Sequence, residues 1–360
     1  MLIMLMITLI AIALFGVTAL GALPAAAADF EPEVPEETAA PAYRRVVFTD
    51  RAMATEYQFI LYAPRDDPKP VDLQAVAREA MAVVHDFEAR FSRFRPDSQI
   101  SRVNAGASVR PVRVAPDVFQ LFQRAGRIHE RTHGTFDITV GPIAQVWGLY
   151  RKEGRIPTEA DRLEALSRVG FQRLTLDPEN NTVAFEVPGM HVDFGGIAKG
   201  YALDEAAELL RRFGVKHGLL SAGTSTLVSL GPPPGSKHWT IRLRNPYNNG
   251  GFIELAATEG SMSTSGVYEK FVEIGGERYG HIVDPRTGKP VSGNVVSATA
   301  IAPSGAESDA LSTAFFVLGL DEVAEYCNRH PGVQAVMVLA AENGEFVVHR
   351  INLGLTKEMS

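Results

Sequence analysis

Cysteine is nearly absent from this 360-residue chain, with Cys327 standing alone. No intramolecular disulfide can therefore form, and no multi-cysteine zinc or iron–sulfur site can be built. An excess of positive charge is missing too. Lys and Arg number 35 against 42 Asp and Glu, a net charge of −7, which excludes a broad electrostatic grip on nucleic acid and leaves room only for a local basic pocket. There is no internal repeat, no Walker loop, no G-x-G-x-x-G and no regular βαβ rhythm, so a solenoid and a doubly wound dinucleotide-binding sheet are both disfavoured. The remainder is ordinary for a packed protein. Hydrophobic residues make up 46% and charged residues 21%, which excludes disorder as the main state and fits one large or two medium domains.

Charge is also lacking at the start of the chain. Met1 to Ala28 contain no charged residue, Leu2 to Leu20 are mostly Leu, Ile, Met and Ala, and Ala25 to Ala28 supply small residues of the A-x-A type. This pattern predicts an export signal cut after Ala28. The usual basic n-region is missing and the run is long enough to span a bilayer, so an uncleaved anchor is the alternative. Both place the body outside the cytoplasm, in the periplasm or anchored to the inner membrane facing it. No cysteine follows the apolar run, which excludes a Cys-lipidated lipoprotein. Residues 29–43 then read as an acidic tether, with five acids and two prolines between Asp29 and Glu37.

Residues 44–360 are expected to form one α+β body with short strands and four main helices. Runs at Arg45 to Phe48 and Tyr57 to Tyr62 predict an opening hairpin with its turn around Asp50-Arg51. Asp72 can cap a helix in which Leu73, Val76, Ala80, Val83, Val84, Phe87 and Phe91 recur at helical spacing. Further helices are predicted from Pro116 to Thr132, Ile197 to Phe213 and Ala310 to Leu318, the first two of these stopped by Gly134 and Gly214. A last strand pair is expected near Val333 to Leu339 and Glu345 to His349.

Four segments carry chemistry. His129-Glu130-Arg131-Thr132-His133 matches H-E-x-x-H, which would make a zinc metallopeptidase if both imidazoles shared a helix face and a third ligand such as Glu153 were recruited. Gly134 argues against it by stopping the helix, so helix-end histidines facing carbonyls are the preferred reading. Asp193-Phe194-Gly195-Gly196-Ile197-Ala198-Lys199-Gly200-Tyr201 places a strand end, a double-glycine turn and a helix start in succession, a device that cradles phosphate oxygens or is merely a tight turn. His281-Ile282-Val283-Asp284-Pro285-Arg286-Thr287-Gly288 packs a base, a carboxylate and a guanidinium around a turn, as a substrate clamp or as a hairpin capped by Asp284. Ser308-Asp309-Ala310-Leu311-Ser312-Thr313 sets Asp309 and Thr313 at i and i+4 on one helix face, which suits Mg²⁺ or simple N-capping.

Together with Ala52-Met53-Ala54-Thr55, Phe94 to Asn104 and Thr135 to Pro142, the last three of these segments resemble, in consistent order from about Thr49 to Leu320, the ApbE family of FAD:protein FMN transferases. The resemblance implies an ApbE-like mixed fold and a Mg²⁺-dependent reaction in which FAD is cleaved, FMN passes to a threonine hydroxyl of another exported protein, and AMP is released. It implies FAD contacts from Met53, Phe94, Thr135, Phe136, Asp137, Asp193, Lys199, Val283 and Ser312. The metal would be held by the carbonyl of Gly196 with Asp309 and Thr313. His281 matches the catalytic base, and Asp284 its orienting partner or an FAD contact. The partner would carry a Ser/Thr-Gly-Ala-Ser/Thr segment, with membrane redox-complex subunits as one candidate class. An FAD pyrophosphatase giving FMN and AMP shares every one of these motifs. Three departures stand out: Ala54 for the usual glycine, Phe94 for a frequent tyrosine, and Ala222-Gly223-Thr224-Ser225-Thr226 where many members carry Gly-Gly-Asp.

Overall fold

Along the strand Thr55–Pro64, side chains from Phe59 to Ala63 are all buried. They divide by parity. Tyr57, Phe59, Leu61 and Ala63 pack into one core, and Ile60 and Tyr62 into another. A strand with apolar contacts on both faces must lie in the middle layer of three. The structure is a computed structural model describing residues 30–33, 42–150, 154–243, 253–267, 271–274, 277–342 and 345–353.

That middle layer is an eight-stranded sheet built from β1 (Tyr43–Ala52), β2 (Thr55–Pro64), β3 (His217–Ala222), β4 (Thr226–Gly231), β5 (Gly260–Gly266), β6 (Val295–Ala302), β7 (Gln334–Ala340) and β8 (Phe346–Ile351). The strands lie side by side in chain order. Every neighbouring pair is antiparallel. One face is covered by α1 (Leu73–Phe91), α6 (Ala198–Arg212) and α7 (Gly305–Leu318). The other face is covered by a small sheet of Phe30–Glu33, Trp239–Leu243 and Ile253–Ala257 centred on the buried Trp239.

The expected helices are present and end where their residue types dictate. Asp72 accepts the amides of Gln74 and Ala75 at the start of α1, and Gly214, at φ +84°, closes α6. α7 begins at Gly305, five residues earlier than expected, because Ser304 caps it by accepting the amide of Glu307. Eight α-helices are described rather than four. The others are α2 (Gln99–Gly106), α3 (Pro116–Arg131, the expected second helix), α4 (Gly141–Val146), α5 (Glu159–Leu166) and α8 (Leu320–Arg329). The four that were not expected are one to three turns long, too short for a hydrophobic period to emerge.

Two further expectations are corrected. The opening hairpin turns at Met53-Ala54 and not at Asp50-Arg51, with Ala52 paired to Thr55 and both turn residues at positive φ, +50° and +60°. Within the supposed tether, Phe30–Glu33 is an edge strand in register with Leu243 to Thr240. Its alternating acidic residues permit an edge position, where one side of the backbone faces outward.

Candidate functional site

The site is founded on a contact between two glycines. A Cβ on Gly200 would lie 1.9 Å from the carbonyl oxygen of Gly305, and one on Gly305 would lie 2.3 Å from that of Gly200. Only glycine lets the first turns of α6 and α7 approach this closely. The approach delivers the Gly200 amide to Asp309, whose Oδ2 accepts it at 3.0 Å. Oδ1 of Asp309 accepts from Lys199 Nζ at 3.4 Å and from the Thr226 hydroxyl at 3.3 Å. Asp309 is only 4% exposed, so a buried carboxylate is held by a lysine, a helix-start amide and a strand hydroxyl.

One turn along α7, Thr313 lies beside Gly196, where an added Cβ would come within 3.4 Å of Thr313 Oγ1 and 3.3 Å of the Phe136 ring. A carboxylate, a hydroxyl and the backbone of a glycine with little room for a side chain make an all-oxygen donor set, which fits a small hard cation such as Mg²⁺. Ser312 is buried, and its hydroxyl donates to the carbonyl oxygen of Asp309 at 2.9 Å.

Thr135 to Asp137 reach Gly196 because their segment runs alongside residues 191–193. Val140 bridges His191 in parallel, and the Asp193 amide donates to the Ile138 carbonyl at 2.7 Å. Thr135 Oγ1 donates to the Thr132 carbonyl at 2.8 Å. The Asp137 carboxylate is taken up within the fold, accepting from the amide and hydroxyl of Thr139 at 2.8 and 2.7 Å and from the Phe171 amide at 3.0 Å.

Phe94 is 71% exposed, unusual for so large an apolar ring. Its neighbour Arg93 lies 3.9 Å over the Phe94 ring and 3.1 Å over that of Tyr150, and pairs with Asp193 at 3.0 Å. Burial and the adjacent Asp193 hold the Tyr150 hydroxyl protonated far above the ordinary phenol range. Asp193 also accepts the Gly195 amide at 2.9 Å, which shapes the double-glycine turn. Met53 is held from below, its sulfur accepting the Tyr57 hydroxyl at 3.2 Å.

His281 is half-buried and leads into the hairpin that pairs Val283–Asp284 with Lys289–Pro290. Val283 is buried. Both Asp284 oxygens engage Arg286, whose Nε and Nη2 donate at 3.0 Å and whose amide donates at 2.9 Å. Asp284 therefore caps its own turn, the structural alternative its sequence had left open. Between this hairpin, Arg162 of α5 and Val317 of α7 lies a cavity of about 570 Å³.

The H-E-x-x-H match does not become a zinc site. α3 ends at Arg131, and His133 follows in a left-handed conformation at φ +50°, so the two imidazoles do not share a helix face. His129 Nδ1 lies 3.1 Å from the Phe136 carbonyl oxygen and 3.3 Å from Asp137 Oδ2. Among the described residues no group of three or more His, Cys, Asp and Glu could hold a metal, and Glu153 lies outside them.

The fold thus joins Phe136, Gly196, Lys199, Asp309, Ser312 and Thr313, and links Phe94 to Asp193 through Arg93. Sequence reasoning missed Arg93, Tyr150, Thr226 and Ser265. The serines at 261, 263 and 265 alternate along β5, a period-two run of hydroxyls that signals a polar strand face and leads to Ser265.

Known proteins resemble the chain over most of its length. The ApbE family profile matches residues 53–337. An FAD:protein FMN transferase of Klebsiella pneumoniae is 30% identical over 312 residues, covering 85% of this chain and 87% of that protein. One from Haemophilus influenzae is 30% identical over 274 residues, 74% of this chain and 79% of its own. The crystal structure of the ApbE protein from Thermotoga maritima superposes with a TM-score of 0.76 at 28% identity, covering 86% of this chain and 97% of that one. The shared architecture, the profile match over residues 53–337 and relatives 30% identical across most of the chain agree, and the chain belongs to the ApbE family.

Proposed function

We propose that this protein transfers FMN from FAD to a threonine hydroxyl of an exported acceptor protein, in a Mg²⁺-dependent reaction that releases AMP. The observation that carries this reading is the buried Asp309, set one helical turn from Thr313 and against Lys199 and the Gly200 amide. Asp309, Thr313 and the Gly196 carbonyl would hold Mg²⁺, which when bound offsets charge on the pyrophosphate. Lys199 adds a second cation at the same place. Met53 and the exposed face of Phe94 offer surfaces for the ring systems of FAD. Thr135, Phe136, Asp137, Asp193, Val283 and Ser312 belong to the segments that surround the nucleotide.

His281 takes the proton from the acceptor hydroxyl as its oxygen attacks the FMN-side phosphorus. The new O–P bond replaces the pyrophosphate bridge, and the bridging oxygen leaves with AMP. Asp284, locked to Arg286, fixes the loop that carries His281 rather than exchanging protons itself. We further propose that residues 44–360, with the edge strand Phe30–Glu33, form the catalytic body, that residues 1–28 direct export or anchor it, and that it acts in the periplasm. Its acceptors carry a Ser/Thr-Gly-Ala-Ser/Thr segment, as a membrane redox-complex subunit would.

Incubating the protein with FAD, Mg²⁺ and such an acceptor should release AMP and leave flavin fluorescence on the acceptor in a denaturing gel. A second reading, FAD hydrolysis to FMN and AMP, is favoured by Phe94, whose ring has no hydroxyl to help direct FMN to an acceptor rather than to water. AMP release with no fluorescent acceptor, across several acceptors, would establish it instead.

A further inference from the structure

Between β5 and α7 lies a run of buried hydroxyls whose proton directions can be counted. Ser312 Oγ is 2.9 Å from the Asp309 carbonyl oxygen, which can only accept, so Ser312 donates there. Its single proton is then used. Ser265 Oγ, 3.0 Å from Ser312 Oγ, must donate to it. With that proton committed, the 3.4 Å contact between Ser265 and Thr313 is made by the Thr313 proton, which points back into the protein. Both lone pairs of Thr313 Oγ1 are thereby turned away from Ser265, free to bind a cation.

The same counting applies to Asp309. An ionised carboxylate offers about four lone-pair directions. The Thr226 hydroxyl and Lys199 occupy two on Oδ1, and the Gly200 amide occupies one on Oδ2. One direction is left on Oδ2. Thr226 is fully buried and comes from β4. A neutral donor there fixes Asp309 without setting a second negative charge against it.

We propose that Thr226 and Ser265 are positioning residues, which aim the oxygens of Asp309 and Thr313 at one bound divalent cation. This rests on the metal assignment made under Proposed function. Neither residue touches the reacting atoms. Each fixes the direction of an oxygen that does the binding, as outer-shell partners of metal ligands do.

The test is Mn²⁺ binding to the full-length, FAD-free protein, read by electron paramagnetic resonance with Mg²⁺ as competitor. Thr226→Val keeps shape and removes the donor. It should weaken Mn²⁺ about 10- to 100-fold, and Thr226→Ser should restore affinity to within about threefold, because the hydroxyl returns. Ser265→Ala, which removes one oxygen from the run, should weaken Mn²⁺ by about 3- to 10-fold, less than Thr226→Val because it acts on a neutral ligand. FAD binding in EDTA should change in neither variant. Mn²⁺ affinity within twofold of wild type in either folded variant overturns the inference. Asp309→Ala serves as the control: if that variant keeps wild-type Mn²⁺ affinity, the metal assignment itself is wrong, whereas its loss alongside an unaffected Thr226→Val refutes only the positioning role.

Discussion

Ala54 carries a methyl group where the backbone asks for none. It and Met53 close a two-residue hairpin loop at φ +60° and +50°, the sign a tight type I′ turn requires and one that side chains with a β-carbon resist. Ala54→Gly should stabilise the protein by about 0.5–1 kcal/mol, after allowing for the extra freedom glycine gives the unfolded chain. Urea unfolding reads the change directly, and a lowered midpoint would contradict it. In the site, Asp309→Ala should abolish Mg²⁺-dependent AMP release while leaving much of the FAD binding, since the surfaces proposed for stacking lie in other segments. Thr313→Ala should be milder because water can replace a neutral hydroxyl, and His281→Ala should slow transfer by about 10²- to 10⁴-fold. Wild-type turnover by Asp309→Ala at limiting Mg²⁺ would leave that residue a structural role only, as acceptor of the Gly200 amide of α6. His133→Ala should leave activity intact. Asp309 and Thr313 were legible in the sequence because a helix period puts them together. Thr226, 83 residues from the carboxylate it touches, and Arg93, which reaches Asp193 across the fold, leave no local pattern to read.

At the scale of elements, the pairing of α6 with α7 depends on two residues without side chains. Gly200→Ala would drive a methyl group to 1.9 Å from a backbone oxygen, so the helices must separate and the Gly200 amide must leave Asp309. A loss of about 1–3 kcal/mol or more is expected in unfolding measurements, together with weakened metal binding. Normal values of both would show that the helices can part without consequence. A titrating group of α6 also holds the start of α7. Asp204 accepts the amides of Gly305 and Ala306 at 2.6 and 3.0 Å, and burial pushes its pKa up to about 6. A carboxyl with a raised folded-state pKa binds its proton more tightly in the native protein. Its stabilising contribution is therefore complete below about pH 4 and lost as pH rises through 6, a change on the order of 2–3 kcal/mol. Asp204→Asn should gain stability relative to wild type as pH climbs from 4 to 7, and parallel pH profiles would refute this. The long helices were readable from their apolar stripes. α7 was recognised only from Ala310 because it is buried nearly all round, so its serines and alanines show no contrast between faces.

For the whole molecule, the α+β class followed from the mixture of periods, whereas the order of the sheet did not. β2 ends at Pro64 and its partner β3 begins at His217, and nothing local in either strand names the other. The cover of the second sheet face was equally hidden, because Phe30–Glu33 has an acidic composition that resembles a solvated linker. The chain should not modify itself. Ser304-Gly305-Ala306-Glu307 is its nearest approach to an acceptor segment, and there Ser304 caps α7 while Gly305 is pressed against Gly200. Covalent flavin mapped to the purified protein by mass spectrometry would overturn that expectation. The adjacency of β2 and β3 also bears on how the molecule is made. The chain is synthesised from its N-terminus, so the β1–β2 hairpin is complete long before the strand that will cover its open edge. At about 5–20 residues per second, the intervening stretch keeps that edge waiting on the order of 10–30 s. During that interval the bare hydrogen-bonding row of β2 is the part of the nascent protein most open to capture by a stray strand.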